Sequence, residues 1–324
     1  MGKSIIILPR DDGFCSRLEG LFTLRWSLEK YPERSIVLVW PINKTCRIKF
    51  EKIFQVPDQV KVLIVDEGWK SDSLDPVIIK ACEERESRKR DGVYIDGKFS
   101  FPSDILKTFD RKETNIRNKI KINYIRSLNF TSDFKKLIAE TKNKYKIDSQ
   151  AIGIHIRSLE TPKYYQVPKG ELSGEKRINK LINYYSSEIK KIIRYTSNQK
   201  FLIASDDKNI VLKFKKWFPD NVIEAPGKYP DHDVGDSCTG DGKDKIFNRD
   251  EESILDAMIL VSIMSEINYN NKIKIDGSYG FFTKMPWILK PANAIKQFSK
   301  KHQNYWIQDE VFKTLYLAAK EEVC

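Results

Sequence analysis

No run of apolar residues in this 324-residue chain approaches the roughly 20 that a membrane-spanning helix requires. The best candidate, Ile254 to Ile267, is short and carries Asp256 and Glu266. The N-terminal run Ile5-Ile6-Ile7-Leu8 is too short for a signal-peptide core and is interrupted at once by Pro9 and Arg10. Cysteine is sparse as well. The five residues Cys15, Cys46, Cys82, Cys238 and Cys324 are odd in number, widely spaced and without a C-x-x-C pair, which argues against a zinc site and against a dense disulfide framework. These absences set the expectation of a soluble chain with no transmembrane segment, working in a reducing, cytoplasmic compartment. Extended disorder is excluded by a hydrophobic fraction of 40% and an aromatic fraction of 11% spread along the whole length.

The length suits two α/β domains. Net charge is +12, with the lysines distributed over helix faces and loops instead of gathered in one block. Such a surface is either simply solvated or attractive to anionic nucleotides, membrane headgroups or nucleic acid. Ile5 to Leu8 reads as a buried parallel strand, followed by a turn and an amphipathic stretch from Arg17 to Lys30; Ser35 to Trp40 and Val60 to Val65 supply further strands. The almost wholly charged run Glu83 to Arg90, with the Gly- and Pro-containing stretch up to Asp110, reads as a surface insertion or loop. Helical spacing returns between Lys112 and Tyr145, broken near Asn129-Phe130-Thr131-Ser132 by residues suited to an N-cap. A second strand and helix series follows. Ala151 to Ile156, Lys200 to Ala204, Val222 to Ala225 and Lys272 to Ile275 read as strands. Arg177 to Tyr195 and Asp207 to Phe218 read as helices, the latter with an apolar face of Ile210, Val211, Phe214, Trp217 and Phe218. The domains are therefore expected at 1–148 and 149–324, with the last helix, beyond Ala294, able to cross back onto the first.

The strongest chemical signal is Gly153-Ile154-His155-Ile156-Arg157-Ser158-Leu159-Glu160. Side chains on a strand repeat every second residue, so His155 and Arg157 share a face, and they do so at the carboxyl edge of a parallel sheet, where ligands bind. An arginine there can grip phosphate oxygens bidentately and stabilise a departing diphosphate. This stretch resembles the His-x-Arg-x-x-Asp motif of the fucosyltransferases that use GDP-fucose, among them the α1,6, α1,2 and protein O-fucosyltransferases. The resemblance implies a GT-B fold, two Rossmann-like domains with parallel sheets facing a cleft. It also implies an inverting, metal-independent glycosyltransferase that moves fucose or a related sugar from a GDP-sugar donor to a glycan acceptor hydroxyl, with no metal and no cofactor beyond that donor. On this resemblance Arg157 binds the β-phosphate with His155 beside it, and Glu160 stands where the family has Asp.

Further segments match in the family's order. Asp12-Gly13-Phe14-Cys15-Ser16-Arg17-Leu18 resembles its glycine-rich loop, whose backbone approaches the donor, although only Gly13 of the glycines is present. Phe201 to Asp207 resembles a strand ending in Ser/Thr-Asp-Asp, with Asp206 near the nucleotide and Asp207 read as a helix cap. Asp256 sits in an otherwise apolar helix, which calls for a partner; the resemblance assigns it to the guanine base. In Asp276-Gly277-Ser278-Tyr279-Gly280, Ser278 matches a phosphate-binding turn, with Tyr279 and Gly280 offering backbone contacts. A general base has no clear equivalent, and Glu160, Asp11 and Asp12 are the candidates. Two alternatives stand beside this reading. One is a metal-dependent GT-A transferase using Asp231 and Asp233; the other is a basic nucleic-acid-binding protein without catalysis, although no recognised binding module is present.

Overall fold

The computed structural model describes residues 4–10, 13–43, 45–66, 75–107, 123–156, 174–205, 207–224, 227, 250–269, 285, 286 and 288–290. The chain separates into two compact units, Met1–Phe134 with Trp287–Cys324, and Lys135–Pro286. The division thus falls earlier than the 148/149 boundary expected from the strand pattern, and inside a helix. Phe134 at the start of that helix packs its ring at 4.9 Å from Phe130 in the first unit. Lys142 near its end pairs with Glu266 of the second. Ile288 and Lys290 group with the first unit, where their carbonyls accept from Arg126 Nε (2.8 Å) and Nη2 (3.0 Å).

The first unit is built on β1 (Ile5–Leu8), β2 (Ile36–Pro41) and β3 (Val60–Val65), parallel to one another. Every residue of β1 and β2 is buried, as continuous apolar runs in a covered parallel sheet must be. The expected stretch from Arg17 to Lys30 is two helices, α1 (Phe14–Gly20) and α2 (Phe22–Lys30), which part at Leu21. An aromatic core runs beneath them: Phe14 meets Trp40 edge-on at 5.9 Å and stacks on Phe54 at 6.2 Å, and Phe54 stacks on Phe130 at 5.4 Å.

Of the segment expected as a surface insertion or loop from residue 83 to 110, residues 83–107 are described, and they form regular helix and hairpin structure. The elements are α3 (Pro76–Arg88), β4 (Gly92–Ile95), β5 (Lys98–Ser100) and α4 (Pro102–Lys107). The charged run covers the outer face of α3, whose Ala81, Cys82 and Arg85 turn inward, and Arg88 bonds Glu84 one turn back at 2.9 Å. Asp75 caps the helix by accepting from Val77 N–H at 2.7 Å, with Pro76 at the first helical position. Asp96 and Gly97 then turn the chain with φ of 50° and 84°, the left-handed pair that a tight hairpin demands. The hairpin pairs antiparallel to β1, so the sheet is mixed, in the order β3-β2-β1-β4-β5. Gly92 is required by close approach, since a Cβ would overlap the ring of Phe99 and stand 2.9 Å from the Ser100 carbonyl oxygen.

Thr131 caps the helix α5 (Ser132–Lys144), its hydroxyl accepting from Phe134 N–H at 3.2 Å, as the Asn129 to Ser132 break predicts. The second unit holds β6 (Ile152–Ile156), α6 (Gly174–Tyr195), β7 (Phe201–Ser205), α7 (Lys208–Trp217), β8 (Val222–Glu224), α8 (Glu251–Glu266) and β9 (Asn268–Tyr269). Its sheet is parallel in the order β8-β7-β6-β9. One face of β6, β7 and β8 (Ile154, Ile156, Phe201, Ile203, Val222) packs on Leu181, Tyr185 and Ile189 of α6 and on Ile210, Val211 and Phe214 of α7. Trp217, expected inside, lies at the edge of the buried face and is 41% exposed. The strand expected at residues 272–275 lies outside the described residues. Among the described residues no helix is long and apolar enough to cross a membrane.

Candidate functional site

Strand alternation decides which face of β6 each residue takes. Ile154 and Ile156 join the core under α6 and α7, so His155 points to the opposite face, where it is buried to 7% exposure. The parallel register sets His155 beside Ala204 and Ile156 beside Ser205. The chain therefore leaves these two strands from adjacent positions at one carboxyl edge. Arg157 and Asp206 are the next residues in each case; both lie outside the described residues, as does Glu160.

Beyond Asp206 the backbone is held by local hydrogen bonds. Ser205 Oγ accepts from Asp207 N–H at 3.1 Å, and Asp207 Oδ1 accepts from Asn209 N–H at 2.8 Å. Asp207 is thus the N-cap of α7, the role expected for it. The neighbouring β8 brings a third element to the same edge. Gly227, shortly beyond it, has φ of 151°, a conformation open to glycine and strained for other residues. A Cβ there would stand 3.7 Å from Asp256 Cβ and 3.9 Å from its Oδ2. Asp256 is accordingly at the carboxyl edge of this sheet, half-buried where the apolar surroundings in sequence suggested enclosure.

Asp256 is carried by a helix that does not need it for capping. Asp250 performs that task, accepting from Ser253 N–H at 2.8 Å, with Glu251 and Glu252 in the first turn to favour the helix dipole. The inner faces of α8 bury Ile254, Met258, Ile259, Val261 and Ile263, and its buried Ser262 and Ser265 donate back to the Met258 and Ser262 carbonyls at 2.8 and 2.6 Å. Asp256 and Leu260, one turn apart, are the pair that faces Gly227.

In the first unit, Gly13 is the N-cap of α1 with φ of −60° and ψ of 161°, values open to any residue. Among the described residues, its chain neighbours aside, no atom lies within 4 Å of where its Cβ would be, so neither backbone strain nor crowding by them demands glycine there. Phe14 turns its ring into the aromatic core, which leaves only its backbone available to a ligand. Asp11, Asp12, Asp231, Asp233, Ser278, Tyr279 and Gly280 lie outside the described residues.

Among the described residues Arg17, Arg85 and Lys290 are buried, and the sequence reading gave none of these cations a role. Arg17 is fully buried on α1, its guanidinium 5.2 Å from the ring centre of Trp40. It donates to the Pro41 carbonyl and, at 2.8 Å, to Asn43 Oδ1. The same Asn43 oxygen accepts from Thr45 N–H, Thr45 Oγ1 and Cys46 N–H at 3.1, 2.7 and 3.0 Å. Arg17 thereby ties the carboxyl end of β2 and its turn to the helix that begins after Gly13. The available signal was a cation flanked by residues of an otherwise apolar helical face. Lys290 is buried as well, and loss of hydration pushes its ammonium down to about 8.

No family model matches the chain, and no curated protein matches it. Among solved structures it is similar to NodZ alpha-1,6-fucosyltransferase soaked with GDP-fucose, at 14% identity and a TM-score of 0.49, covering 90% of this chain and 94% of that one. Fucosyltransferase NodZ from Bradyrhizobium matches at 14% identity and 0.47 over the same shares. POFUT1 in complex with GDP-fucose matches at 12% identity and 0.45, covering 87% of this chain and 93% of that chain.

Proposed function

We propose that this protein is an inverting, metal-independent glycosyltransferase of GT-B type, moving fucose or a related sugar from a GDP-sugar to a hydroxyl of a glycan acceptor. The observation that carries the reading is the pairing of Ile156 with Ser205, joined at the same edge by Asp256 beside Gly227. The His-x-Arg strand, the Ser-Asp-Asp strand and the carboxylate of the apolar helix are far apart in sequence. They would serve one ligand only if they met at one edge, and their elements do.

In the proposed reaction the acceptor oxygen attacks the anomeric carbon as the bond from that carbon to the β-phosphate oxygen breaks, inverting the centre and releasing GDP. Arg157 takes up the charge developing on the diphosphate, which removes the need for a metal, and His155, on the face of β6 opposite Ile154 and Ile156, supports it. Ser278 and the backbone of Tyr279 and Gly280 add phosphate contacts. Asp206 lies near the nucleotide, Asp256 accepts from guanine, and the backbone at Gly13 and Phe14 approaches the donor. The acceptor proton passes to a carboxylate, with Glu160, Asp11 and Asp12 the candidates.

The test is a thermal-shift panel of GDP, UDP, ADP and CMP in the presence of excess chelator. A ligand that binds only the folded state raises its stability, and GDP is expected to give the largest rise. A larger response to another nucleotide, or none to any, would refute the proposal.

A further inference from the structure

The amino edge of the second sheet, at the opposite end of the strands from the candidate site, carries a surface of a different kind. Among the described residues the large apolar side chains left exposed are few, and three of them, Tyr195 (91%), Leu212 (42%) and Trp217 (41%), belong to α6 and α7. These two helices lie on one face of the sheet, over a shared core. Tyr195 ends α6 just before β7, and Trp217 ends α7 just before β8, so both stand at the same edge. The loops that follow them are stitched together: Asn221 Nδ2 donates to the carbonyls of Ser197 and Gln199 at 2.8 and 2.9 Å, and Lys200 Nζ to that of Asp220 at 2.6 Å. Trp217 is held at its exposed position by an edge contact to Phe214, 5.7 Å between ring centres, and by Lys213 over its face at 5.1 Å.

Charge around these aromatics is one-sided. Lys190, Lys191, Arg194, Lys200, Lys213 and Lys216 are exposed there, against Asp220 and a half-buried Glu188 that pairs with Lys191 at 2.8 Å. Helix α7 contains no acidic residue at all. A fold gains nothing from exposing Trp, Tyr and Leu among lysines, whereas an anionic bilayer rewards both features. Indole and phenol rings settle at the headgroup level, an aliphatic side chain reaches the acyl boundary, and cations are drawn to the acidic lipid. Leu212 favours a membrane over nucleic acid, since it offers nothing to a stacked base.

We propose that this face docks the protein on an anionic lipid surface, with Trp217, Tyr195 and Leu212 entering the interface and the surrounding lysines meeting the headgroups. The test is co-flotation of the full chain with vesicles of phosphatidylcholine alone or with about 30% phosphatidylserine. Binding is expected only to the anionic vesicles and is expected to weaken as salt rises. The pair Tyr195→Ser with Trp217→Ser should lower partitioning by roughly tenfold. The charge-only pair Lys190→Ser with Lys216→Ser, both at exposed positions and neither side chain in contact with Tyr195 or Trp217, should lower it by about tenfold or more. Both pairs should keep the native circular dichroism and the thermal response to GDP. Absence of binding to anionic vesicles, undiminished binding by the charge-only pair, or displacement of the protein from vesicles by a single-stranded oligonucleotide at equal charge would overturn the proposal.

Discussion

Asp256→Asn separates a guanine-binding carboxylate from a merely structural one. The substitution keeps size and shape, and the surroundings say what it should leave intact. The helix cap is Asp250 and the first-turn acids are Glu251 and Glu252, so α8 loses no stabilising terminus. Oδ2 of Asp256 faces the position a Cβ would take on Gly227, 3.9 Å away, a wall of bare backbone that an amide can also meet. The change therefore keeps the size of the side chain and the helix cap while altering what the group can accept and donate. Guanine offers two adjacent N–H donors along its Watson–Crick edge, and a carboxylate can accept from both, whereas an amide accepts from one and presents N–H to the other. One charge-assisted bond is lost, roughly 1.5–3 kcal/mol, or about 10- to 100-fold in the Kd for GDP. Isothermal titration of GDP into the wild type and the variant would measure it, with UDP as the control whose affinity should not change. Equal affinity of the two proteins for GDP would refute the assignment of Asp256 to the base.

Arg157→Ala should lose about 2–4 kcal/mol of transition-state stabilisation, the usual loss on removing one donor to developing negative charge, and near-normal kcat/KM would exclude its role. Arg17→Met keeps the stem beneath Trp40 but strands the Pro41 carbonyl and removes a donor from Asn43, so stability measured by urea denaturation should fall by about 2–4 kcal/mol. An unchanged urea midpoint would show the buried guanidinium to be dispensable. Lys290, held at about 8 against an ordinary 10.5, costs the fold stability while it is charged. Because the folded value is the lower one, stability of the wild type should rise with pH between these values, where the unfolded chain binds more protons. Lys290→Met should accordingly stabilise by about 1–3 kcal/mol near pH 7 and by less as pH climbs through 8, and a gain that does not shrink with pH would contradict this. Among the described residues the buried Tyr124 hydroxyl finds no hydrogen-bond partner, and Tyr124→Phe should raise stability by about 1 kcal/mol; a loss seen by calorimetry would reveal an interaction of that hydroxyl.

The elements legible in the sequence are those set by local forces. Continuous apolar runs marked β1, β2, β6 and β7, since a strand covered on both faces must be apolar on both. Thr131 and Asp207 announced helix starts, because a short oxygen-bearing side chain satisfies the first amide groups from the adjacent residue. The same local logic misled over residues 83–107. The charge that seemed to mark a loop is the wet face of α3, and the hairpin was signalled by Asp96-Gly97 all along.

The candidate site could be named in the sequence only as residue types, His155 before Arg157 and a carboxylate within an apolar helix, and their neighbours could not be named at all. The alignment of Ile156 with Ser205 depends on inter-strand hydrogen bonds across a helical crossover, and the seat of Asp256 depends on a glycine backbone arriving from another strand. Arg17 makes the contrast plain. Its sequence neighbours reveal a helix, but burying a guanidinium requires acceptors and a ring from Trp40, Pro41 and Asn43, which only folding brings to it. Periodicity and capping act over a few residues and can be read along the chain; register and the compensation of buried charge act across it and exist only once the chain has folded.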